Sequence, residues 1–211
     1  MAITEKARRL SLAQRPIIGL SQGEPDFDTP AHICAAAIEA MKEGKTRYTT
    51  VDGISELKEA ICAKFESEND VRYQPNQISV ATGGKQILYN ALMATVNEGD
   101  EVIISAPYWV SYPDIVLLCE GVPVFVTCGQ EQGFKLTAAG LAGAITPRTR
   151  WVILNSPSNP SGAAYTEKEI RQLAEVLNEN PHVLVMADDI YEHLVYDDFR
   201  FFTPAQIGGD L

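Results

Sequence analysis

The fold is decided by residues 151–162, which read Trp-Val-Ile-Leu-Asn-Ser-Pro-Ser-Asn-Pro-Ser-Gly. An apolar block runs directly into a polar loop that contains two prolines. The same order recurs at residues 183–191, where Val-Leu-Val-Met precedes Ala-Asp-Asp-Ile-Tyr. An apolar block without alternation predicts a strand that is buried on both faces. Polar residues that follow such strands lie at the sheet edge where open α/β folds bind their ligands.

Strands and helices alternate along the rest of the sequence. Further strands are predicted at residues 78–81, 101–105 and 122–127, with helical patterns between them. This alternation predicts an α/β fold whose mostly parallel sheet lies in a three-layer αβα arrangement. Residues 1–29 lack a clear pattern and are predicted to form an N-terminal arm or small-domain segment of irregular structure. The main domain is then expected over residues 30–211.

Two of the helices have recognisable starts. Thr29 followed by Pro30 predicts an N-cap and a first helical residue. Thr166 with Glu169 has the spacing of a capping box, which predicts a helix over residues 166–177.

The composition limits the classes of protein to consider. The chain has 211 residues, a formal net charge of −11 and 45% apolar residues. The apolar share supports a core, whereas the negative charge argues against a nucleic-acid or anionic-membrane surface. No apolar run of ~18 residues and no apolar leader is present, so neither a membrane span nor a secretion signal is predicted. Four cysteines without CxxC spacing and three histidines without ligand spacing indicate reduced thiols, no metal site and a cytoplasmic location.

Because the carboxyl ends of parallel strands share one edge, the segments that follow the strands should meet there. Gly83 and Gly84 precede a helix, so backbone N–H groups could approach an anion closely at that point. Trp109 follows the strand at residues 101–105 and could stack on a flat ring. A simple glycine turn and a core tryptophan are the alternative interpretations of these residues.

Two further side chains belong to the same predicted edge. Asn159 lies between prolines, which would hold its side-chain amide in place as a donor to a ligand oxygen. The alternative interpretation is that the prolines belong to a simple Asx-Pro turn. Asp188 follows a buried strand, so its carboxylate is expected to have a cationic partner. Its neighbour Asp189 could be a solvated loop charge. Together these groups suit a flat ring that bears a phosphate, an oxygen and a protonatable nitrogen, and pyridoxal 5′-phosphate has all of them.

The sequence also resembles a known family through motifs that occur in the same order. They are residues 20–30 (LSQGEPDFDTP), 82–86 (TGGKQ), 107–113 (PYWVSYP), 155–162 (NSPSNPSG) and 188–193 (DDIYEH). These motifs resemble those of the fold-type-I pyridoxal-phosphate aminotransferases of class I and II, in the bacterial aspartate aminotransferase branch. The resemblance covers nearly the whole chain and corresponds to the N-terminal half of that family. It implies a partial cofactor-binding large domain that stops before its last strands and the C-terminal small domain.

The resemblance implies how the cofactor ring is held. Asp188 pairs with the pyridine nitrogen and keeps it protonated, which makes the ring an electron sink. Asn159 and Tyr191 bond the phenolate oxygen, and Trp109 stacks on the ring. Where the family usually has Glu after the ring aspartate, this sequence has Asp189, and we expect little effect because that position is not the ring partner.

The resemblance also implies phosphate and substrate contacts. Backbone amides near Gly84 and Lys85 hold the phosphate, and Tyr48 reaches the phosphate in a neighbouring subunit, which implies a homodimer. Lys85 is in addition a candidate for the distal carboxylate of a dicarboxylic substrate. Substrate-binding roles are implied for Gly23, Trp109 and Asn159.

No catalytic residue is assigned in this sequence. In the family, a lysine in a Ser/Ala-Lys motif forms the Schiff base and moves the substrate proton. The resemblance implies that this lysine lies beyond Leu211, together with the arginine that binds the substrate α-carboxylate. We therefore expect the chain by itself to be inactive.

The expected function is transfer of an amino group between an aspartate-like amino acid and a 2-oxo acid, as part of a longer enzyme. Prephenate or aromatic substrates fall within the same branch. Among enzymes, a pyridoxal-phosphate-dependent carbon–sulfur lyase is the alternative. Outside enzymes, the alternative is a truncated, non-catalytic paralogue that binds the cofactor.

Overall fold

The computed structural model describes residues 2–18 and 23–208. The chain forms two compact units, Met1–Thr49 and Thr50–Leu211. Three residues of the first sequence motif, Leu20, Ser21 and Gln22, lie outside the described residues, as does Leu211. The domain boundary suggested after residue 29 stays a prediction.

The described residues of the first unit contain two helices, α1 (Ala2–Leu12) and α2 (Ala31–Lys42). The prediction of irregular structure over residues 1–29 is therefore wrong for its first part. That part is rich in Ala, Leu, Lys and Arg, which favour helices, and Glu5 accepts a hydrogen bond from Arg8 at 2.8 Å one turn later. At the start of α2, Pro30 is the N-cap residue, so the predicted start at Thr29 is one position early.

The second unit is a parallel sheet with helices on both faces. Its helices are α3 (Ser55–Asn69), α4 (Gly84–Thr95), α5 (Ser111–Leu118), α6 (Ala138–Ala144) and α7 (Glu167–Asn178). Its strands are β1 (Glu101–Ala106), β2 (Val122–Thr127), β3 (Thr149–Asn155) and β4 (Leu184–Asp188). Within the described residues, all strand pairs are parallel and the order is β2-β1-β3-β4. None of the helices in this part of the chain is long and apolar enough to cross a bilayer.

The central strands are buried on both faces. Val102, Ile103 and Ile104 of β1 are at most 1% exposed. Val102 and Ile104 belong to the cluster formed with α4 and α5, whereas Ile103 belongs to the cluster formed with α6 and α7. The predicted three-layer αβα arrangement is thereby confirmed, and so is the interpretation of unalternated apolar blocks as doubly covered strands.

The predicted strand at residues 78–81 is wrong. This segment follows a 3₁₀ turn at Pro75–Gln77 and pairs with no strand among the described residues. The amide of Val80 instead donates to the Asp52 carbonyl at 2.9 Å. A strand is defined by its hydrogen-bonded ladder, and one such bond does not make a ladder. The segment still leads into the N-terminus of α4, as predicted.

The loop after β4 is fastened to α3 by charged and polar side chains. Glu192 accepts hydrogen bonds from Lys64 and, at 3.2 Å, from Asn69. Lys64 also donates to the Asn69 side chain at 2.9 Å. Ligand-type atoms of Glu68, Glu192 and His193 lie within 4.8 Å of one another, but Lys64 already neutralises Glu192. The network therefore anchors the loop.

Asp189, in the same loop, is half-buried and hydrogen-bonded to the Thr203 side chain, so it is not the solvated charge considered from the sequence. Burial raises the pKa of Asp189 to about 6 against the opposing Thr203 bond, and the carboxylates of Glu192 and Asp188 add to the rise. The surroundings of Asp189 therefore disfavour its ionised form.

Helix α7 begins with the predicted capping box. Thr166 Oγ1 accepts from the Glu169 amide at 3.3 Å, and Glu169 Oε2 accepts from the Thr166 amide at 2.8 Å. Both bonds satisfy amides that have no acceptor inside the helix. The cap fixes the start of the helix whose apolar face, including Ile170 and Leu173, covers the sheet.

Removal of this cap should destabilise the fold. We expect Thr166→Ala to lower the free energy of unfolding by about 1 kcal/mol, because one first-turn amide loses its acceptor. Urea unfolding followed by circular dichroism measures the difference. Lys168→Ala, at an exposed position of the same helix, is the control and should change stability little. Equal stability of the two variants would show that the cap contributes nothing.

The raised pKa of Asp189 predicts a pH-dependent stability. The folded protein binds this proton more tightly than the unfolded chain, so the contribution of Asp189 to stability should fall as the pH rises from about 4 to about 6. Asp189→Asn should flatten that decline and make the protein more stable than wild type near neutral pH. Urea titrations below and above this window measure both effects. Asp198→Asn, at an exposed loop position, should leave the wild-type profile in place, and a flattened profile there would contradict the assignment to Asp189.

Candidate functional site

A cleft of about 310 Å³ opens in the second unit, beside the carboxyl ends of β3 and β4. Its lining includes seven residues that the sequence suggested: Gly83, Gly84, Lys85, Trp109, Asn159, Asp188 and Tyr191. The segments after the strands therefore converge as the parallel topology predicts. The segment at residues 82–86 joins them, although no strand precedes it.

Two other suggested residues belong to the first unit. Gly23 and Tyr48 are exposed there, and the Tyr48 side chain is fully so. The contact of Gly23 with substrate and the reach of Tyr48 into a neighbouring subunit stay predictions.

The turn before α4 leaves open space beside its backbone. Gly83 is the N-cap residue with φ +84°, a conformation that side-chain-bearing residues rarely adopt. A Cβ atom at Gly83 or Gly84 would meet no atom within 4 Å. The first amides of α4 have no acceptor within the helix and lie at the positive end of its dipole. This end of the cleft therefore suits an anion.

Trp109 lines the cleft and also packs against the core cluster of α4 and α5. The alternative of a core tryptophan therefore holds in part, and the stacking of Trp109 on a flat ring stays a prediction. The Lys85 ammonium lies 5.1 Å from the centroid of the Trp109 ring, within the range of a cation–π contact. Tyr112 meets the same ring edge-on, with centroids 5.4 Å apart and planes at 81°. The indole is therefore fixed from more than one side.

Asp188 is the last residue of β4 and is half-buried at the cleft. The Tyr112 hydroxyl donates to its Oδ2 at 2.7 Å, and the Ile190 amide lies 3.4 Å from its Oδ1. The expected cationic partner is not found within the described residues. The two groups that donate to this carboxylate there, the Tyr112 hydroxyl and the Ile190 amide, are both neutral. A negative charge therefore faces the cleft without a paired cation in this part of the chain.

The Tyr112 phenol is the contact that sequence reasoning missed. Burial, together with the hydrogen bond to Asp188, raises the pKa of Tyr112 well above its ordinary value, so the phenol stays neutral and donates. Its partner is 76 residues away in the sequence. No local spacing rule reaches that far, and only the packing of α5 onto the sheet brings the two together.

Asn155 joins the two loops that follow β3 and β4. Its Nδ2 donates to the Asp188 carbonyl at 2.8 Å, and its Oδ1 accepts from the Asn159 amide at 2.8 Å. Asn155 is 9% exposed, so its amide makes both bonds away from most solvent. This structural role was not predicted, although the residue is the first polar one after the apolar block.

The chain is similar to known proteins over nearly its whole length. The family model for aminotransferases of class I and II matches residues 15–209. An aspartate/prephenate aminotransferase of Cereibacter sphaeroides is 65% identical over 207 residues, which are 98% of this chain and 52% of that protein. The crystal structure of the aspartate aminotransferase from Rhizobium meliloti has 56% identity and a TM-score of 0.96, with 100% of this chain and 52% of that one covered. An aspartate aminotransferase from Thermus thermophilus, solved with maleate, has 41% identity and a TM-score of 0.92 over 98% of this chain and 53% of that one.

The chain spans about half the length of the relatives that it matches. The match nevertheless includes every element of the sheet and every residue that lines the cleft. On the strength of that match, the chain belongs to the family of class I and II aminotransferases.

Proposed function

We propose that the cleft holds pyridoxal 5′-phosphate and that this chain contributes the cofactor-holding part of an aminotransferase. The observation that carries the proposal is the Asp188 carboxylate, which lines the cleft and, within the described residues, accepts hydrogen bonds from neutral donors. A carboxylate in that setting favours a cationic ligand group. A protonated pyridine nitrogen is such a group.

The other end of the cleft fits the phosphate. The open space beside Gly83 and Gly84 and the first amides of α4 together suit a doubly charged anion. The net charge of −11 does not oppose this, because the site is built from backbone amides and a helix end. Lys85 lies beside this turn and adds a positive charge to the cleft.

The remaining residues fit the ring between these ends. Trp109 offers an indole face in the cleft, supported from behind by the core. Asn159 and Tyr191 line the same cleft and offer an amide and a hydroxyl for a ring oxygen. When bound, pyridoxal phosphate supplies an electron sink for reactions at the α-carbon of an amino acid. Asp188 serves that chemistry by holding a proton on the ring nitrogen.

For the whole protein, we propose transfer of an amino group between an aspartate-like amino acid and a 2-oxo acid. The names of the relatives support this, including one named for aspartate and prephenate. Lys85 has the charge needed for a distal substrate carboxylate, and Gly23, Trp109 and Asn159 are the further proposed substrate contacts. A homodimer in which Tyr48 reaches the neighbouring site belongs to the same proposal, as does a cytoplasmic location.

A binding experiment tests the cofactor site without requiring turnover. Pyridoxamine phosphate is the probe, because its amine cannot form a Schiff base with a lysine and so reports non-covalent binding. We expect the purified chain to bind it at least about tenfold more tightly than a carbocyclic analogue whose ring nitrogen is replaced by carbon. Asp188→Asn should remove most of this preference, because the neutral amide no longer attracts the pyridinium. Fluorescence titration measures each dissociation constant.

Asp198→Asn provides the matched control, since it removes an exposed loop carboxylate outside the cleft. It should retain the wild-type preference. A wild-type chain that binds the two compounds equally, or an Asp188→Asn variant that still prefers the pyridine, would overturn the proposed site.

A further inference from the structure

A single phenol supports both the negative charge and the aromatic surface of the cleft. Tyr112 lies in the first turn of α5 and is 3% exposed. Its hydroxyl contacts Asp188 Oδ2 at 2.7 Å, and its ring meets the edge of Trp109 at 5.4 Å. The two residues that it supports are those proposed to pair with and stack on the cofactor ring.

The direction of the Tyr112–Asp188 hydrogen bond is fixed by chemistry. An ionised carboxylate can only accept, and a neutral phenol can donate one proton. Burial and the nearby carboxylate raise the pKa of Tyr112, so the phenol keeps its proton throughout the physiological range. A hydrogen bond to a charged acceptor is roughly twice as strong as one between neutral groups.

The bond also restricts how the carboxylate can turn. Oδ2 is held by the Tyr112 hydroxyl, whereas among the described residues Oδ1 has only the long 3.4 Å approach of the Ile190 amide. A carboxylate has about four lone-pair sites, so Oδ1 keeps the capacity for another donor. The bond to Oδ2 therefore leaves Oδ1 as the oxygen with capacity for a ligand in the cleft that Asp188 lines.

We propose that Tyr112 is a positioning residue, which orients the Asp188 carboxylate so that it receives the protonated ring nitrogen of the cofactor. The proposal rests on the proposed function, because it concerns how the same site holds its ring. It assigns to the Tyr112 hydroxyl a role separate from that of the Tyr112 ring, which packs in the core cluster.

Tyr112→Phe tests the hydroxyl alone, since it keeps the aromatic ring against Trp109. The matched control is Tyr165→Phe, which also removes a buried phenol, one that accepts from the Leu136 amide at 2.7 Å and lies outside the cleft. The probe is pyridoxamine phosphate labelled with ¹⁵N in the ring. Fluorescence titration gives its affinity, and the ¹⁵N chemical shift reports whether the ring nitrogen is protonated.

Loss of the hydroxyl should weaken probe binding about tenfold, the effect of one charge-assisted hydrogen bond transmitted through Asp188. The ¹⁵N signal should move towards that of the unprotonated ring. Tyr165→Phe should leave both the affinity and the signal at their wild-type values, even if it lowers the melting temperature. If Tyr112→Phe matches Tyr165→Phe in both measurements while wild type still prefers the pyridine over its carbocyclic analogue, this inference is overturned and the proposed function stands.

If wild type does not prefer the pyridine, the proposed function fails and the role of Tyr112 fails with it. Should Tyr112→Phe not fold, a measurement on the wild-type chain decides the matter. The chemical shift of the Cζ carbon of ¹³C-labelled Tyr112 should change when the probe binds. Asp188, which accepts the hydrogen bond of Tyr112, then also interacts with the protonated ring nitrogen of the probe. A Cζ signal that does not move at saturation would overturn the inference.

Discussion

The burial of the central strands on both faces is the constraint on which the rest of the structure depends. Helices cover β1 and β3 from either side, so these strands cannot carry polar side chains along their length without a cost in desolvation. Polar groups are therefore confined to the strand ends. Because the strands are parallel, one set of ends meets at one edge, and the cleft lies beside the ends of β3 and β4.

The cleft combines parts that come from distant segments and are held by different forces. A positive-φ glycine and a helix end form one wall, an indole supported by the core forms another, and a carboxylate held by a phenol lies at the end of β4. The indole and the carboxylate are both supported by Tyr112, which is itself buried. This is the pattern expected of a pre-organised site, in which packing behind the contact residues fixes their geometry before a ligand arrives.

Local patterns in the sequence were sufficient for much of this fold. The apolar blocks at β1 to β4 and the capping box of Thr166 and Glu169 act over a few residues, and they were identified from the sequence. Residues 78–81 have an equally apolar pattern, but a strand also needs a neighbour, and local sequence does not reveal one. The helix α1 was missed although Ile3, Ala7 and Leu10 have helical spacing and the composition of the segment favours a helix.

The same distinction applies to the candidate site. The glycines were found because they precede a predicted helix, and Trp109, Asn159 and Asp188 because each lies a few residues after a predicted strand. Tyr112 was missed because its partner is reached only through the packing of α5. The neutral surroundings of Asp188 were likewise not predicted, since charge in a sequence does not show which groups lie close in space.

The amide of Asn155 has a consequence for the motion of the cleft. Since it bonds the Asn159 backbone on one side and the Asp188 backbone on the other, the two loops are ordered by the same side chain. Loops that share an anchor are ordered together, so the loss of that anchor would raise the conformational entropy of both. Two segments separated by a whole helix in the sequence are thereby coupled through one side chain, and a change at Asn155 acts on both.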